Sequence, residues 1–158
     1  MTTEPAVPPF VGANIALICR AEVLVYRRDA YDWLPFAGMW DLPGGGREGQ
    51  ESPTACALRE LQEEFGLVLP PSALHWGRDY PSNTPPDSRA WFFAGHIRTD
   101  QISRIVFGDE GQYWRMMPVA EFLAHDAAVP HLQQRLAHCL PEAFPAGLVD
   151  GNDFGHRV

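Results

Sequence analysis

The strongest constraint in this sequence is a stretch in which three consecutive glycines precede a helix-forming segment. Gly44–Gly46 can adopt backbone angles that are closed to other residues, so we expect them to interrupt regular structure. Ser52 is suited to cap the start of a helix, and Pro53 to occupy its first position. The helix should run to Phe65 and end at Gly66, because glycine is preferred just past helix C-termini. The stretch therefore predicts a glycine turn that leads into a helix.

This predicted helix carries three glutamates on one face. At about 100° per residue, Glu63 and Glu64 lie at about −60° and about +40° from Glu60. Such like charges repel one another, whereas Mg²⁺ and Mn²⁺ prefer oxygen ligands and would neutralise the cluster. The apolar residues on the neighbouring face, which suit packing against a sheet, are Ala57, Leu58, Leu61 and Phe65. Taken alone, the glutamates are typical of a solvated helix face, and the glycine turn in front of them is what favours a metal site.

The rest of the chain alternates unevenly between strand-like and helix-like segments. Strands are predicted at Asn14–Cys19, Glu22–Tyr26, Trp40–Leu42, His75–Tyr80, Ala90–Ile97 and Gln112–Met116. A tight turn at Arg20–Ala21, a loop at Asp29–Met39 and a turn-rich PSNTPPDS loop connect them. Further helices are predicted at Pro118–Ala124 and Pro130–Leu140. This order indicates an α/β domain with a mixed sheet and a helix on each face.

The charge of the chain bears on its partners. Twelve Lys and Arg residues against twenty Asp and Glu residues give a formal net charge of −8. Extended contact with DNA or RNA requires a basic surface, so a nucleic acid polymer is not an expected partner. A phosphorylated small molecule remains compatible, because one bound divalent cation can invert the field of an acidic site.

Cysteine spacing and hydropathy suggest the compartment. Cys19, Cys56 and Cys139 are far apart and form no CxxC pair, which indicates reduced, buried thiols rather than disulfides or a zinc site. The N-terminal residues do not have the pattern of a secretory signal, and no stretch approaches about 18 consecutive apolar residues. We therefore expect a cytoplasmic protein with no membrane contact.

The segment Gly45–Leu67 resembles the Nudix box, whose pattern is G-x5-E-x7-R-E-U-x-E-E-x-G-U with U apolar. Every specified position is met, by Gly45, Glu51, Arg59, Glu60, Leu61, Glu63, Glu64, Gly66 and Leu67. The flanking WDLPGG and the order of strands also look like this family. The resemblance implies a Nudix-type α/β/α sandwich with a mixed β-sheet over residues 11–145. A Pro-rich N-terminal arm (1–10) and a C-terminal tail (146–158) would flank it.

The resemblance also implies an activity. Members of the family cleave a phosphoanhydride bond in a nucleoside diphosphate linked to another moiety, such as a nucleoside triphosphate or a nucleotide sugar like ADP-ribose. Mg²⁺ would be the cofactor, with Mn²⁺ as a substitute. The metal ligands implied for this chain are Glu60, Glu63, Glu64 and the carbonyl oxygen of Gly44. Arg59 would pair with Glu51 and hold the loop against the helix.

The general base is left open by the resemblance. In some members a box glutamate has this role, which here would be Glu60, and in others it is a carboxylate from a later loop. Glu110 is the first choice for a loop carboxylate and Asp109 the second, since FGDEGQYW precedes a predicted strand at a suitable place. The alternative is a solvated acidic turn, to which Gly108 and Gly111 also point.

Several aromatic residues are candidates for stacking on a nucleobase, and we select Trp33, Phe36 and Trp91. Because side chains alternate along a strand, only part of Trp91–Phe93 can face a ligand. A different hypothesis is a Nudix-fold sensor that binds a nucleotide without hydrolysing it, but a sensor has no need to keep all three glutamates. The expected partner is a small nucleotide, and a homodimer is compatible with the sequence.

Overall fold

The computed structural model describes residues 9–82 and 87–148, which build a mixed β-sheet with helices on both faces. Its strands are β1 (Phe10–Cys19), β2 (Glu22–Arg27), β3 (Trp40–Asp41), β4 (Gly44–Gly46), β5 (Trp76–Pro81), β6 (Arg89–His96) and β7 (Tyr113–Pro118). Its helices are α1 (Pro53–Phe65), α2 (Thr99–Ile102), α3 (Val119–Ala124) and α4 (Pro130–Ala143). Among the described residues, the strand order is β3-β2-β1-β6-β5, with β4 paired to β1 and β7 paired to β2.

Strand β1 lies at the centre of the sheet. It pairs in parallel with β6 and antiparallel with β2 and β4. Its side chains alternate between two cores, because Ile15 and Leu17 pack on the α1 side whereas Ala16 and Ile18 pack on the α4 side. Arg20 takes a left-handed conformation (φ 59°) in the tight turn to β2, as predicted. The mixed sheet is thus confirmed.

The prediction that the three glycines interrupt regular structure is wrong. They form β4, which pairs with Gly12, Ala13 and Asn14 of β1. The two strands approach so closely that a Cβ on Gly12 would lie 2.4 Å from the carbonyl oxygen of Gly45. Glycine here permits a close backbone pairing rather than a turn, and no periodic pattern of side chains announces it.

Helix α1 has the predicted bounds. The Ser52 side chain accepts a hydrogen bond from the Ala55 N–H, and Gly66 ends the helix in the left-handed conformation (φ 66°). Its buried residues include Leu61 and Phe65, which pack on the core between α1 and the sheet. This packing fixes the side of the helix that carries the glutamates.

The opposite face of the sheet is covered by α3 and α4, so the α/β/α sandwich is confirmed. Leu132, Leu136 and Cys139 of α4 are buried against this face. Helix α4 continues past the predicted end at Leu140 to Ala143, with Pro141 in its last turn. A proline there removes one backbone N–H, and the helix still closes because the Phe144 N–H donates to the Leu140 carbonyl at 2.9 Å.

Two short elements were not predicted, the 3-10 turn Pro71–Ala73 and α2. Helix α2 is a single turn in which the Arg98 N–H donates to the Gln101 side chain, too short for a hydrophobic period to reveal. All three cysteines are buried free thiols, as expected. In the described ranges, no helix has the length and apolar character needed to cross a membrane. Residues 1–8 of the arm, 83–86 of the PSNTPPDS loop and 149–158 of the tail lie outside the described residues.

Candidate active site

Helix α1 and the loop before it bring together a cluster of carboxylates. Oxygen atoms of Glu48, Glu60 and Glu63 lie within 4.8 Å of one another. Glu60 and Glu63 are two of the metal ligands that the resemblance implies, and helix geometry predicted that they share a face. Glu48 was missed, because the chain between β4 and α1 has no regular period from which its position could be read.

The third predicted ligand, Glu64, lies apart from this cluster. Its side chain is buried, with 7% of its surface exposed, and one carboxylate oxygen accepts a hydrogen bond from the Gly44 N–H at 2.9 Å. Burial raises the pKa of Glu64 to about 9, and the charges of Glu60, Asp41 and Glu110 add to the rise. Gly44 thus contacts Glu64 through its N–H. Metal binding by the carbonyl oxygen of Gly44 stays a prediction.

Arg59 lies among the carboxylates and joins loop to helix. It donates two hydrogen bonds to Glu51, at 2.8 and 3.0 Å, so the expected pair is present and bidentate. The same guanidinium reaches Glu60 at 2.9 Å and Glu63 at 3.2 Å, and donates to the Gly46 carbonyl at 2.8 Å. The hydrogen bonds from Arg59 lower the pKa of Glu51 to about 2. Arg59 therefore offsets the repulsion within the cluster and fixes its shape.

The donor set of this cluster suits a divalent cation, and Nη1 of Arg59 is the cationic group that Glu48, Glu60 and Glu63 contact in this structure. The cluster's donors are carboxylate oxygens, the ligand type that Mg²⁺ and Mn²⁺ prefer, and they converge from a helix and a loop that Arg59 holds together. In addition, a Cβ on Gly45 would lie 2.5 Å from the carboxylate carbon of Glu60. Only a glycine at this position lets the carboxylate lie against the backbone of β4.

A cavity of about 410 Å³ adjoins β4. Gly44–Gly46 form part of its wall, so the Glu60 carboxylate and the cavity share the backbone of Gly45. The volume is in the range of small-molecule pockets. The arrangement places room for a nucleoside-sized group next to the acidic cluster.

The three predicted aromatic contacts have different positions. Phe36 lines the large cavity. Trp33 lines a separate recess of about 240 Å³ together with Glu110, and its ring stacks on Tyr31 with 5.6 Å between centroids. Trp91 stacks on Phe93 and packs against the core on the α1 side, so the cavity walls do not include it. The geometry supports Phe36, leaves Trp33 at a neighbouring recess and gives Trp91 a core position.

Asp41 is a cavity residue that sequence reasoning missed. It is 6% exposed, pairs with Arg28 at 2.9 Å and accepts hydrogen bonds from the Tyr26 hydroxyl and the Leu42 N–H. Burial raises its pKa, while Arg28 acts in the opposite direction. The sequence could have indicated this residue, because an acid between Trp40 and Leu42 is flanked by apolar side chains. An acid that is buried in this way needs a partner for its charge.

The loop after α2 carries the two candidate bases. Its backbone is tied to the end of α1, because the Val106 N–H donates to Phe65 at 3.0 Å and the Gly108 N–H donates to Glu64 at 2.8 Å. Glu110 lines the recess beside Arg28, and its charge contributes to the raised pKa of both Glu60 and Glu64. Asp109 and Glu110 are both exposed, and Glu110 is the one whose charge is among the main contributions to these shifts. The loop thus brings Glu110 within electrostatic reach of the box.

Known proteins resemble this chain in sequence and in fold. The chain is 36% identical over 100 residues to an RNA pyrophosphohydrolase of Acidiphilium cryptum (strain JF-5), covering 61% of this chain and 58% of that protein. Its fold is similar to the MutT protein of Methanosarcina mazei Go1, with a TM-score of 0.67, 20% identity, and 89% and 99% of the two chains covered.

The fold is also similar to that of a bifunctional NMN adenylyltransferase/ADP ribose pyrophosphatase of Francisella tularensis, whose structure is complexed with AMP and a Mn ion. The TM-score is 0.67 at 21% identity, with 88% of this chain and 43% of that chain covered. The family model described as the NUDIX domain matches residues 8–139. With that match spanning most of the described sheet and α1, the chain belongs to the NUDIX family.

Proposed function

We propose that this protein is a metal-dependent pyrophosphohydrolase that cleaves a phosphoanhydride bond in a nucleoside diphosphate linked to another moiety. The observation that carries the proposal is the convergence of Glu48, Glu60 and Glu63, with Glu60 against the Gly45 backbone and a cavity that Gly45 also lines. A nucleoside triphosphate or a nucleotide sugar such as ADP-ribose has both parts that this arrangement suits. Its phosphates would lie at the cluster, and its nucleoside in the cavity.

Mg²⁺, with Mn²⁺ as a substitute, is the cofactor that these donors suit. Glu48, Glu60 and Glu63 would hold it at the cluster, and the further ligands that the Nudix box implies are Glu64 and the carbonyl oxygen of Gly44. When bound, it would polarise the diphosphate and stabilise the charge that develops on the phosphoryl oxygens. Arg59 would keep Glu60 and Glu63 in position through its hydrogen bonds.

The chain's own groups would handle the proton. Water attacks one phosphorus, the bond to the bridging oxygen breaks, and the proton of the water passes to a carboxylate. We assign this base to Glu110, because its charge acts on Glu60 and Glu64 across the site. Glu60 is the second candidate. Phe36 would contact the nucleoside from the cavity wall.

The relatives support the reaction class. The protein that shares 36% identity with this chain is an RNA pyrophosphohydrolase, and the chain aligns with 58% of its length. The competing hypothesis is a sensor that binds a nucleotide without hydrolysing it. The carboxylate cluster favours the enzyme. Three free thiols suit a reducing compartment such as the cytoplasm. We assign the activity to residues 11–145.

A panel of nucleotides tests this proposal. Nucleoside triphosphates, ADP-ribose and other nucleotide sugars are incubated with the protein and Mg²⁺, and released phosphate, pyrophosphate and nucleoside monophosphate are measured. We expect hydrolysis of at least one of them, abolished by EDTA, and a loss of at least about 10²-fold in kcat in Glu63→Gln. Turnover that survives excess chelator, or binding of nucleotides without hydrolysis of any, contradicts the proposal.

A further inference from the structure

The large cavity extends from β4 across the sheet toward the edge strand β5. Gly12 and Ala90 contribute to its wall from β1 and β6, and Pro81 contributes to it from β5. Leu132 and Arg135 line it from α4. The cavity therefore has one side at the acidic cluster and another, two strands beyond β1, where a cationic side chain lies.

Arg135 has an unusual environment for a guanidinium. It is half-buried, its Cζ atom lies over the Tyr80 ring at 5.0 Å from the centroid, and one Nη donates to the Pro81 carbonyl at 3.3 Å. Within residues 9–82 and 87–148, no carboxylate lies at ion-pair distance from it. Burial lowers its pKa, in agreement with a cation that lacks a neutralising partner. A guanidinium carries five N–H donors, so most of its hydrogen-bonding capacity remains for a ligand.

The second arginine of the cavity differs in this respect. Arg28 donates to Asp41 at 2.9 Å and to the Pro35 carbonyl at 2.9 Å, so its charge is matched within the protein. Of these two arginines, Arg135 is the one whose charge and N–H donors are available to a ligand. Because arginine donates and never accepts, that group must present hydrogen-bond acceptors.

We propose that Arg135 determines base specificity, by donating two hydrogen bonds to the O6 and N7 atoms of a 6-oxopurine such as guanine. The inference rests on the proposed function, since it names the base of the nucleotide substrate. Adenine presents an amino donor where guanine presents O6, so the same guanidinium discriminates against adenine. The base would lie beside Phe36 and His131, two rings of the cavity wall with centroids 5.5 Å apart.

A second phosphate group is the other acceptor that an arginine could bind. The wall near Arg135 favours the base, because Val129, Leu132 and Ala90 line it with apolar side chains. A phosphate needs several donors to replace its hydration, and the neighbouring His131 adds little positive charge, because burial and the charge of Arg135 lower its pKa. The uncharged edge of a purine suits this wall.

Binding of nucleoside monophosphates tests the inference without turnover, since they contain no anhydride bond. Affinities for GMP, IMP and AMP are measured by calorimetry in EDTA with wild type, Arg135→Met, Arg135→Lys and the control Arg104→Met, an exposed arginine outside the cavity. We expect wild type and Arg104→Met to bind GMP and IMP at least about 10-fold more tightly than AMP. Arg135→Met should lose this preference. Arg135→Lys keeps the positive charge but lacks the planar pair of N–H donors, so it should lose most of the preference.

Two results overturn the inference. One is a wild-type protein that binds AMP as tightly as GMP. The other is an equal loss of GMP and AMP affinity in the Arg135 variants, which indicates a phosphate contact. Melting temperatures identify a variant that fails to fold, and Arg135→Lys then carries the test. Hydrolysis of nucleotides without base preference would leave the proposed function standing, whereas base preference without hydrolysis would leave only this inference.

Discussion

At the scale of single residues, Asp109 and Glu110 are neighbours in the chain with different surroundings. Both side chains are exposed, but of the two only Glu110 lines the recess beside Arg28, and its charge is among the main contributions to the raised pKa of Glu60 and Glu64. We expect Glu110→Gln to reduce kcat by about 10²-fold or more, because it removes the group that accepts the proton of the attacking water. Its pH–rate profile should lose the fall in rate at acidic pH that protonation of a general base causes.

Asp109→Asn is the matched control for this prediction. It changes the same type of charge one residue away, on a side chain that faces solvent, and should retain a near-normal rate and the acidic limb. Wild-type rates in both variants, with the acidic limb intact, would show that this loop does not supply the base. Glu60 would then be the next residue to test.

At the scale of elements, strand β4 lets the Glu60 carboxylate lie against its backbone because Gly45 has no side chain. A Cβ on Gly45 would meet the Glu60 carboxylate at 2.5 to 2.7 Å, whereas a Cβ on Gly46 would meet only the Val11 carbonyl oxygen at 3.8 Å. We therefore expect Gly45→Ala to displace Glu60 and to lower kcat by at least about 10-fold, since small displacements of reacting groups are costly. Gly46→Ala should keep most of the activity.

Steady-state kinetics and thermal melting of these two variants, side by side, check this prediction. Melting identifies any variant in which the pairing of β4 with β1 is lost altogether. Equal activities of Gly45→Ala and Gly46→Ala, in folded proteins, would mean that contact with the Gly45 backbone does not set the position of Glu60.

At the scale of the whole molecule, the carboxylate cluster links metal binding to stability. A cation that binds only the folded chain stabilises it, by about 2.7 kcal/mol at 100 times its Kd. For a chain of this size, that corresponds to a rise in Tm of about 5 to 10 °C. We expect Mg²⁺ to raise the Tm of wild type, EDTA to reverse the rise, and Glu63→Gln to reduce it.

Differential scanning calorimetry with increasing Mg²⁺ measures this effect. Glu121→Gln is a suitable control, because Glu121 pairs with Arg115 and belongs to no part of the cluster. A Tm that is insensitive to Mg²⁺, or the same rise in Glu63→Gln as in Glu121→Gln, would argue against a cation at these carboxylates.

The sequence by itself determined the features that depend on local interactions. The start of α1 at Ser52, its end at Gly66 and the approach of Glu60 to Glu63 follow from capping chemistry and from helical geometry, both of which act within a few residues. The apolar, branched run of β1 likewise predicts a buried strand. These features led to the correct fold class, and the match of Gly45–Leu67 to the Nudix box led to the family.

Only the tertiary structure decided the rest, because those features depend on residues that are distant in the chain. Gly44–Gly46 become a strand through pairing with β1, and this pairing buries Glu64 against the Gly44 N–H instead of leaving it with the other carboxylates. Glu48 joins the cluster through a loop that Arg59 holds, and Arg135 reaches the cavity from a helix at the far end of the chain. Local periodicity reports which residues share a face of one element, whereas the packing of several elements determines which faces meet.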